Sequence, residues 1–335
     1  MNSPIQPMMK VTHKMITNET LTAVPGIRVG HVTDLEGATG CTVIICPSGT
    51  VGGVDQRGGA PGTRETDLLR PMHVVETVNA IVLSGGSAYG LATADGVMRY
   101  LEENQIGYKS GSGFLVPIVS AAILMDLPVG KVGIRPDAAM GYAACQAATT
   151  DVVPQGTVGA GTGCRIGAMR GNEYATKGGI GSASIDLGNG LIVAALVAVN
   201  SVGDVIDEVG NIIAGLRQSP DSKTFVNMLE ALRSLARVNP PAADSNTVIG
   251  VVATNARLSK EHVNKVAQMA QDGVAQAVRP AHTMFDGDTI FALATGEIPA
   301  NVSAIGAYAA EVTAQAIRNG IRTATSLAGI RAWND

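Results

Sequence analysis

Apolar positions along this chain follow two rhythms. Short apolar runs rich in β-branched and small residues predict strands over 26–31, 41–46, 79–83 and 191–199, from position 247 onward, and over 289–294. Helical spacing predicts helices over 88–103, 136–149, 224–237, 259–278 and 302–318. In the third of these, Phe225, Met228, Leu229, Leu232 and Leu235 share one face. The fourth opens at an N-cap Ser259 with Glu261 close by. Residues 51–62 are too Gly-rich for regular helix, 156–167 form another Gly-rich segment, and 177–184 read as a Gly-rich turn. Strands and helices mix without a strict βαβα alternation. The fold class is therefore α+β or layered α/β, with helices covering sheets on both outer sides. Residues 1–25 read as a loose N-terminal arm and 26–335 as one domain.

Composition narrows the class. Of 335 residues, 46% are hydrophobic and only 16% charged, so a large apolar area must be hidden in a core and in subunit contacts, which favours a homo-oligomer. Aromatics are 3% and glycines number 41, which lets backbone layers approach closely. The net charge of −4, without a basic run or stripe, gives no footprint for nucleic acid or for a membrane surface. No apolar run is long enough to span a bilayer, and the first residues lack the apolar core of a signal peptide. Cys41, Cys46, Cys145 and Cys164 show no paired spacing and read as buried free thiols, which places the chain in the cytoplasm. The five histidines are isolated from one another, without zinc-ligand spacing, and no metal or organic cofactor is expected.

Candidate chemistry centres on Asn246–Thr247. A Pro- and Ala-rich loop over 239–246 runs into the apolar segment that begins at Thr247. If that bond is cut, Thr247 carries a free α-amine beside its own hydroxyl, an arrangement that activates a weak nucleophile. An uncut loop-to-strand junction has the same sequence. Asp286-Gly-Asp288 precedes an apolar run and puts two carboxylates one residue apart. Crowding raises one pKa and suits proton relay, although a plain Asp-Gly turn looks alike. Lys177 in its Gly-rich surroundings is either a solvated charge or a group that steadies a negative transition state. Asn200, at the end of a buried strand, is a structural pin or an oxyanion donor. Ser84-Gly85-Gly86-Ser87 lies between a strand and a helix. Its amides at Gly85, Gly86 and Ser87 are candidates for holding an oxyanion, or the segment is a tight turn. It matches neither a P-loop nor a nucleophile elbow.

The ordered set Gly26-Ile-Arg-Val-Gly-His31, Asp55-Gln-Arg-Gly-Gly59, Leu83-Ser-Gly-Gly-Ser-Ala-Tyr-Gly-Leu91, Gly159-Ala-Gly-Thr-Gly163, Lys177-Gly-Gly-Ile-Gly181, Val197-Ala-Val-Asn200 and Asn246-Thr247 resembles the P1 (DmpA-like, S58) peptidase family. That family holds L-aminopeptidase/D-esterases, β-peptidyl aminopeptidases and nylon-oligomer amidases of the NylC kind. The resemblance implies an Ntn-like αββα sandwich, similar in fold to ornithine acetyltransferase, and a tetramer of αβ units. It implies a precursor cut into 1–246 and 247–335, with the nucleophile at Thr247, the pocket lysine at Lys177 and an asparagine near the oxyanion at Asn200. The aminopeptidase branch has Ser as nucleophile, with Ser and Glu in the later acidic segment. Thr247, Asp286 and Asp288 here are similar to the nylon-oligomer branch. The expected activity is hydrolysis of amide bonds in small peptides or 6-aminohexanoate oligomers through an acyl-enzyme. The alternatives are an aminopeptidase, an acyltransferase on the same scaffold, and a non-catalytic small-ligand binding protein. The Ala-Thr-Met-Leu cleavage sequence of ornithine acetyltransferase is absent.

Overall fold

The structure, a computed structural model, describes residues 18–237 and 246–335. Most of the expected arm (1–17) and the junction loop over 239–245 lie outside the described residues. The arm's last residues are anchored: Leu21 and Val24 are buried, and the Leu21 amide donates to Ser182 Oγ at 2.8 Å.

Two five-stranded sheets form the centre. The first comprises β1 (Arg28–Asp34), β2 (Thr39–Ile45), β4 (Thr63–Arg64), β5 (Ala80–Ser84) and β6 (Val119–Ile123), in the order β1-β2-β5-β6-β4. The second comprises β3 (Val51–Gln56), β7 (Gly179–Asp186), β8 (Ile192–Asn200), β9 (Thr247–Arg257) and β10 (Thr289–Pro299), in the order β7-β8-β9-β10-β3. Each sheet has one parallel pair, β5 with β6 and β9 with β10, among antiparallel neighbours.

Strand alternation sorts side chains onto two faces and so builds four layers. Ile44, Ile81 and Leu83 of the first sheet meet Leu196, Ile249, Val251, Phe291 and Leu293 of the second. The opposite face of the first sheet, with Val43, Ile45 and Val82, packs on Val97, Leu101 and Ala144 from helices α1 (Thr93–Glu103) and α2 (Ala138–Gln146). A shorter helix, α3 (Met228–Leu235), follows β8 in the chain. The outer face of the second sheet, with Val193, Ala195, Val197 and Val252, packs on Val266 and Ile317 from α4 (Lys260–Ala277) and α5 (Val302–Arg322). The result is the expected αββα arrangement. All four cysteines are free and buried, Cys41 and Cys145 in the first helix–sheet layer, Cys46 and Cys164 between the sheets.

Element bounds differ from expectation where capping or tertiary packing decides them. The helix expected over 224–237 starts only at Met228. Asn227 caps it by accepting from the Leu229 and Glu230 amides, and Phe225–Val226 pairs with Leu216–Arg217 instead. The helix expected from residue 88 begins as a 3-10 turn, Ser87–Ala92. The Gly-rich turn expected over 177–184 is mostly the edge strand β7. Its glycines make room for α5: a Cβ on Gly179 would lie 2.5 Å from Gly320 O, and one on Gly181 2.1 Å from Ala316 O. β6 also escaped the apolar pattern, because its run Val-Ser-Ala-Ala-Ile is short and small.

Candidate active site

Strand register brings the candidate residues to one end of the second sheet. Gly179 pairs with Val199, and Asn200 with Thr247, so Gly178, Asn200 and Thr247 lie in one row with Lys177 one residue beyond. In the parallel pair, Ile249 stands opposite Thr289, which sets Gly287 and Asp288 beside Thr247 and Val248. Asn246 bridges Asp286 just outside the sheet. Lys177, Asn200, Thr247, Asp286 and Asp288 are all buried.

The Thr247 hydroxyl lies against the carbonyl of the residue before it and donates to Asn246 O at 2.5 Å. The same oxygen accepts the Gly287 amide at 2.9 Å, and the Asn246 amide donates to Phe285 O at 2.7 Å. Asn246 is thus held at both its amide and its carbonyl by the Phe285–Gly287 segment. Gly287 is confined there, since a Cβ would lie 2.6 Å from Ala60 O and 3.0 Å from Thr247 Oγ1.

The two aspartates have different partners. Asp286 Oδ2 accepts from the Thr283 hydroxyl (2.6 Å) and amide (2.9 Å). Burial first, and the neighbouring Asp288 second, push its carboxyl up to about 6. Asp288 Oδ1 accepts from the Val248 amide at 2.8 Å. Its Oδ2 takes the His282 amide at 3.0 Å and pairs with the His282 ring Nδ1 at 2.8 Å. Asp288 therefore ties the strand that starts at Thr247 to the loop at His282. The histidine was read from sequence as isolated. The folded loop between positions 282 and 288 brings the two side chains together.

Lys177 is fully buried, and Nζ donates to Gly161 O at 3.1 Å and Gly178 O at 2.7 Å, leaving its third hydrogen for another acceptor. Burial pulls its pKa down to about 8, against the opposing pull of Cys164 and Asp126. Asn200 Oδ1 accepts from the Arg165 amide at 2.9 Å and Nδ2 donates to Met125 O at 3.1 Å. These bonds pin the side chain and use one of its two amide hydrogens.

The turn at Gly85, Gly86 and Ser87 differs from the expected oxyanion loop. Its three amides are spent inside the protein, on Gly40 O (2.9 Å), Asp126 Oδ1 (2.7 Å) and Leu124 O (2.9 Å) respectively. Sheet ladder bonds and a buried carboxylate satisfy these donors, so the tight-turn alternative describes them.

Known proteins match this chain in fold and in sequence over most of its length. An L-aminopeptidase D-Ala-esterase/amidase from Ochrobactrum anthropi, described as a variant of the Ntn hydrolase fold, superposes with a TM-score of 0.68 at 18% identity, over 94% of this chain and 89% of that one. An uncharacterized aminopeptidase of Mycobacterium leprae is 44% identical, over 93% of this chain and 92% of its own length. A 6-aminohexanoate-oligomer endohydrolase of Kocuria sp. is 33% identical, over 88% of this chain and 83% of its own. The class is therefore a hydrolase of amide or peptide bonds built on the Ntn-type fold. The chain belongs to peptidase family S58, which matches residues 19–333. Among the described residues, no helix is long and apolar enough to cross a membrane.

Proposed function

We propose that the chain is made as a precursor that cuts itself between Asn246 and Thr247, and that Thr247 then serves as the nucleophile for hydrolysing amide bonds in small peptides or 6-aminohexanoate oligomers. The observation that carries this reading is the placement of the Thr247 hydroxyl on the Asn246 carbonyl, with the Gly287 amide on the same oxygen. Attack of Oγ on the Asn246 carbonyl carbon builds negative charge on the oxygen that Gly287 holds. The Thr247 nitrogen takes the proton and leaves, giving an ester. Water opens the ester to an Asn246 carboxylate and a Thr247 with free hydroxyl and α-amine.

In turnover, Thr247 Oγ attacks the substrate carbonyl, and the α-amine or Asp286 accepts its proton. Asp286 does so in its charged form, which exists above about pH 6. Asp288 orients the segment and, by its charge, raises the basicity of Asp286. The buried Lys177 ammonium and the remaining Asn200 amide hydrogen stabilise the oxyanion. The substrate amine leaves, and water releases the acyl-enzyme. The chemistry uses side chains and backbone amides alone.

Thr247 with Asp286-Gly-Asp288 supports the oligoamide reading. Aminopeptidase action is the second reading, supported by the name of the mycobacterial relative. A homo-oligomer of paired segments in the reducing cytoplasm is the form we propose, supported by the low charge fraction and the four free cysteines.

Denaturing electrophoresis with N-terminal sequencing tests the cut. The wild type should give two bands, the smaller starting at Thr247, and Thr247→Ala one intact chain. A single uncut band from folded, aged wild type would falsify the reading, and two bands from the Ala variant would assign the cut to an outside protease. Hydrolysis of p-nitroanilides, β-peptides and 6-aminohexanoate oligomers separates the two substrate readings, and a competing amine separates hydrolysis from acyl transfer.

A further inference from the structure

Just beyond β6, the chain leaves the first sheet and reaches the site end of the second. Met125 O receives the Asn200 side-chain amide. The next residue, Asp126, is 2% exposed. Its Oδ1 accepts the Gly86 amide at 2.7 Å, and its Oδ2 accepts the Thr39 hydroxyl at 2.7 Å. Two Gly-rich segments are shaped around this side chain: a Cβ on Gly85 would lie 2.0 Å from Asp126 Oδ2, and one on Gly163 2.4 Å from Asp126 Cβ. Two titratable groups act on Lys177, Cys164 and Asp126. Burial pushes the Cys164 thiol up to about 12, so it is neutral near pH 8. Asp126 is left as the negative charge acting on the ammonium.

We propose that Asp126 is a positioning residue that locks the Gly85–Ser87 turn of the first sheet to the Lys177–Asn200 end of the second and keeps Lys177 charged during turnover. This rests on the oxyanion role of Lys177 in the proposed function. The carboxylate has to be ionised to act, and burial raises its own pKa to about 6, so it is charged throughout the range in which Lys177 titrates. Removing that charge leaves desolvation of Lys177 less opposed. The lysine then loses its proton at lower pH, and the alkaline limb of the activity moves down.

Asp126→Asn tests this, because it removes the charge while keeping the shape and an acceptor for the Gly86 amide. The measurement is the pH profile of kcat and KM for the amide that the wild type hydrolyses best. In the variant the alkaline limb should move down by about half to one pH unit. Then kcat at pH 8 should fall several-fold, with kcat at pH 6.5 and KM each within about twofold of wild type. An alkaline limb that stays in place, with only thermal stability reduced, overturns the positioning role. If the variant does not fold, the Lys177 Nζ resonance of ¹⁵N-lysine-labelled wild type takes its place. That signal should show a second inflection near pH 6 as Asp126 ionises, one that persists in Asp286→Asn; a single inflection, or a second one that Asp286→Asn abolishes, overturns the proposal. A wild type that neither cuts itself nor hydrolyses amides sinks the functional reading. A working wild type whose limb the variant leaves unmoved sinks only this one.

Discussion

Lys177, the lysine proposed to steady the oxyanion, is buried at a cost to the fold. Its lowered pKa means that the folded chain disfavours the ammonium. The sign follows: below about pH 8 the folded state carries the full desolvation penalty, and stability from this group rises as pH climbs from about 8 toward the ordinary lysine range. The penalty is on the order of 3 kcal/mol at neutral pH, before the two carbonyls it bonds are counted. Lys177→Met should therefore unfold in urea at pH 7 with equal or higher stability, while self-cutting and amide hydrolysis drop at least about 100-fold. A stability loss above about 2 kcal/mol would show that the lysine is mainly a structural pin. The candidate residues Thr247, Lys177, Asn200, Asp286 and Asp288 were legible as an ordered set that resembles a known family, each being ambiguous by its local sequence alone. His282 and Asp126 were not, since each gains its partners through a loop or strand end remote from any motif.

At the scale of elements, legibility followed side-chain size. Helices α4 and α5 show strong apolar periodicity and strands β8 and β9 long apolar runs, and the structure places them within a few residues of expectation. β7 hides because its inner positions are glycine, chosen for the close approach of α5 rather than for strand propensity. Gly181→Ala should cost about 1–3 kcal/mol in urea unfolding, because backbone atoms of Ala316 and Gly320 lie 2.1 and 2.2 Å from the added carbon. Gly111→Ala, in open space, should stay within about 0.5 kcal/mol of wild type. Equal effects at both positions would mean that β7 and α5 part easily. Positions 26–31, 41–46 and 79–83 were readable as strands, but the order β1-β2-β5-β6-β4 was not, because long-range pairing leaves no local mark.

For the whole molecule, the proposed cut falls at the start of a central strand. Residues 247–335 contribute β9, α4, β10 and α5, and β9 and β10 lie between β8 and β3 of the other segment. Separating the segments would break two strand ladders and open two apolar layers. After cutting, the two segments should therefore co-elute as one species in native size exclusion while running apart in denaturing gels. Free smaller segment in the native column would show that the layers do not hold without the peptide bond.

The buried cysteines sort by layer, one pair under α1 and α2 and the other between the sheets. Burial holds every one of these thiols far above its ordinary pKa. In the native state they are poor nucleophiles shielded from alkylating or oxidising reagents. Each becomes reactive only when its own layer opens. The order in which the two pairs become modified thus records which interface yields first as the protein ages.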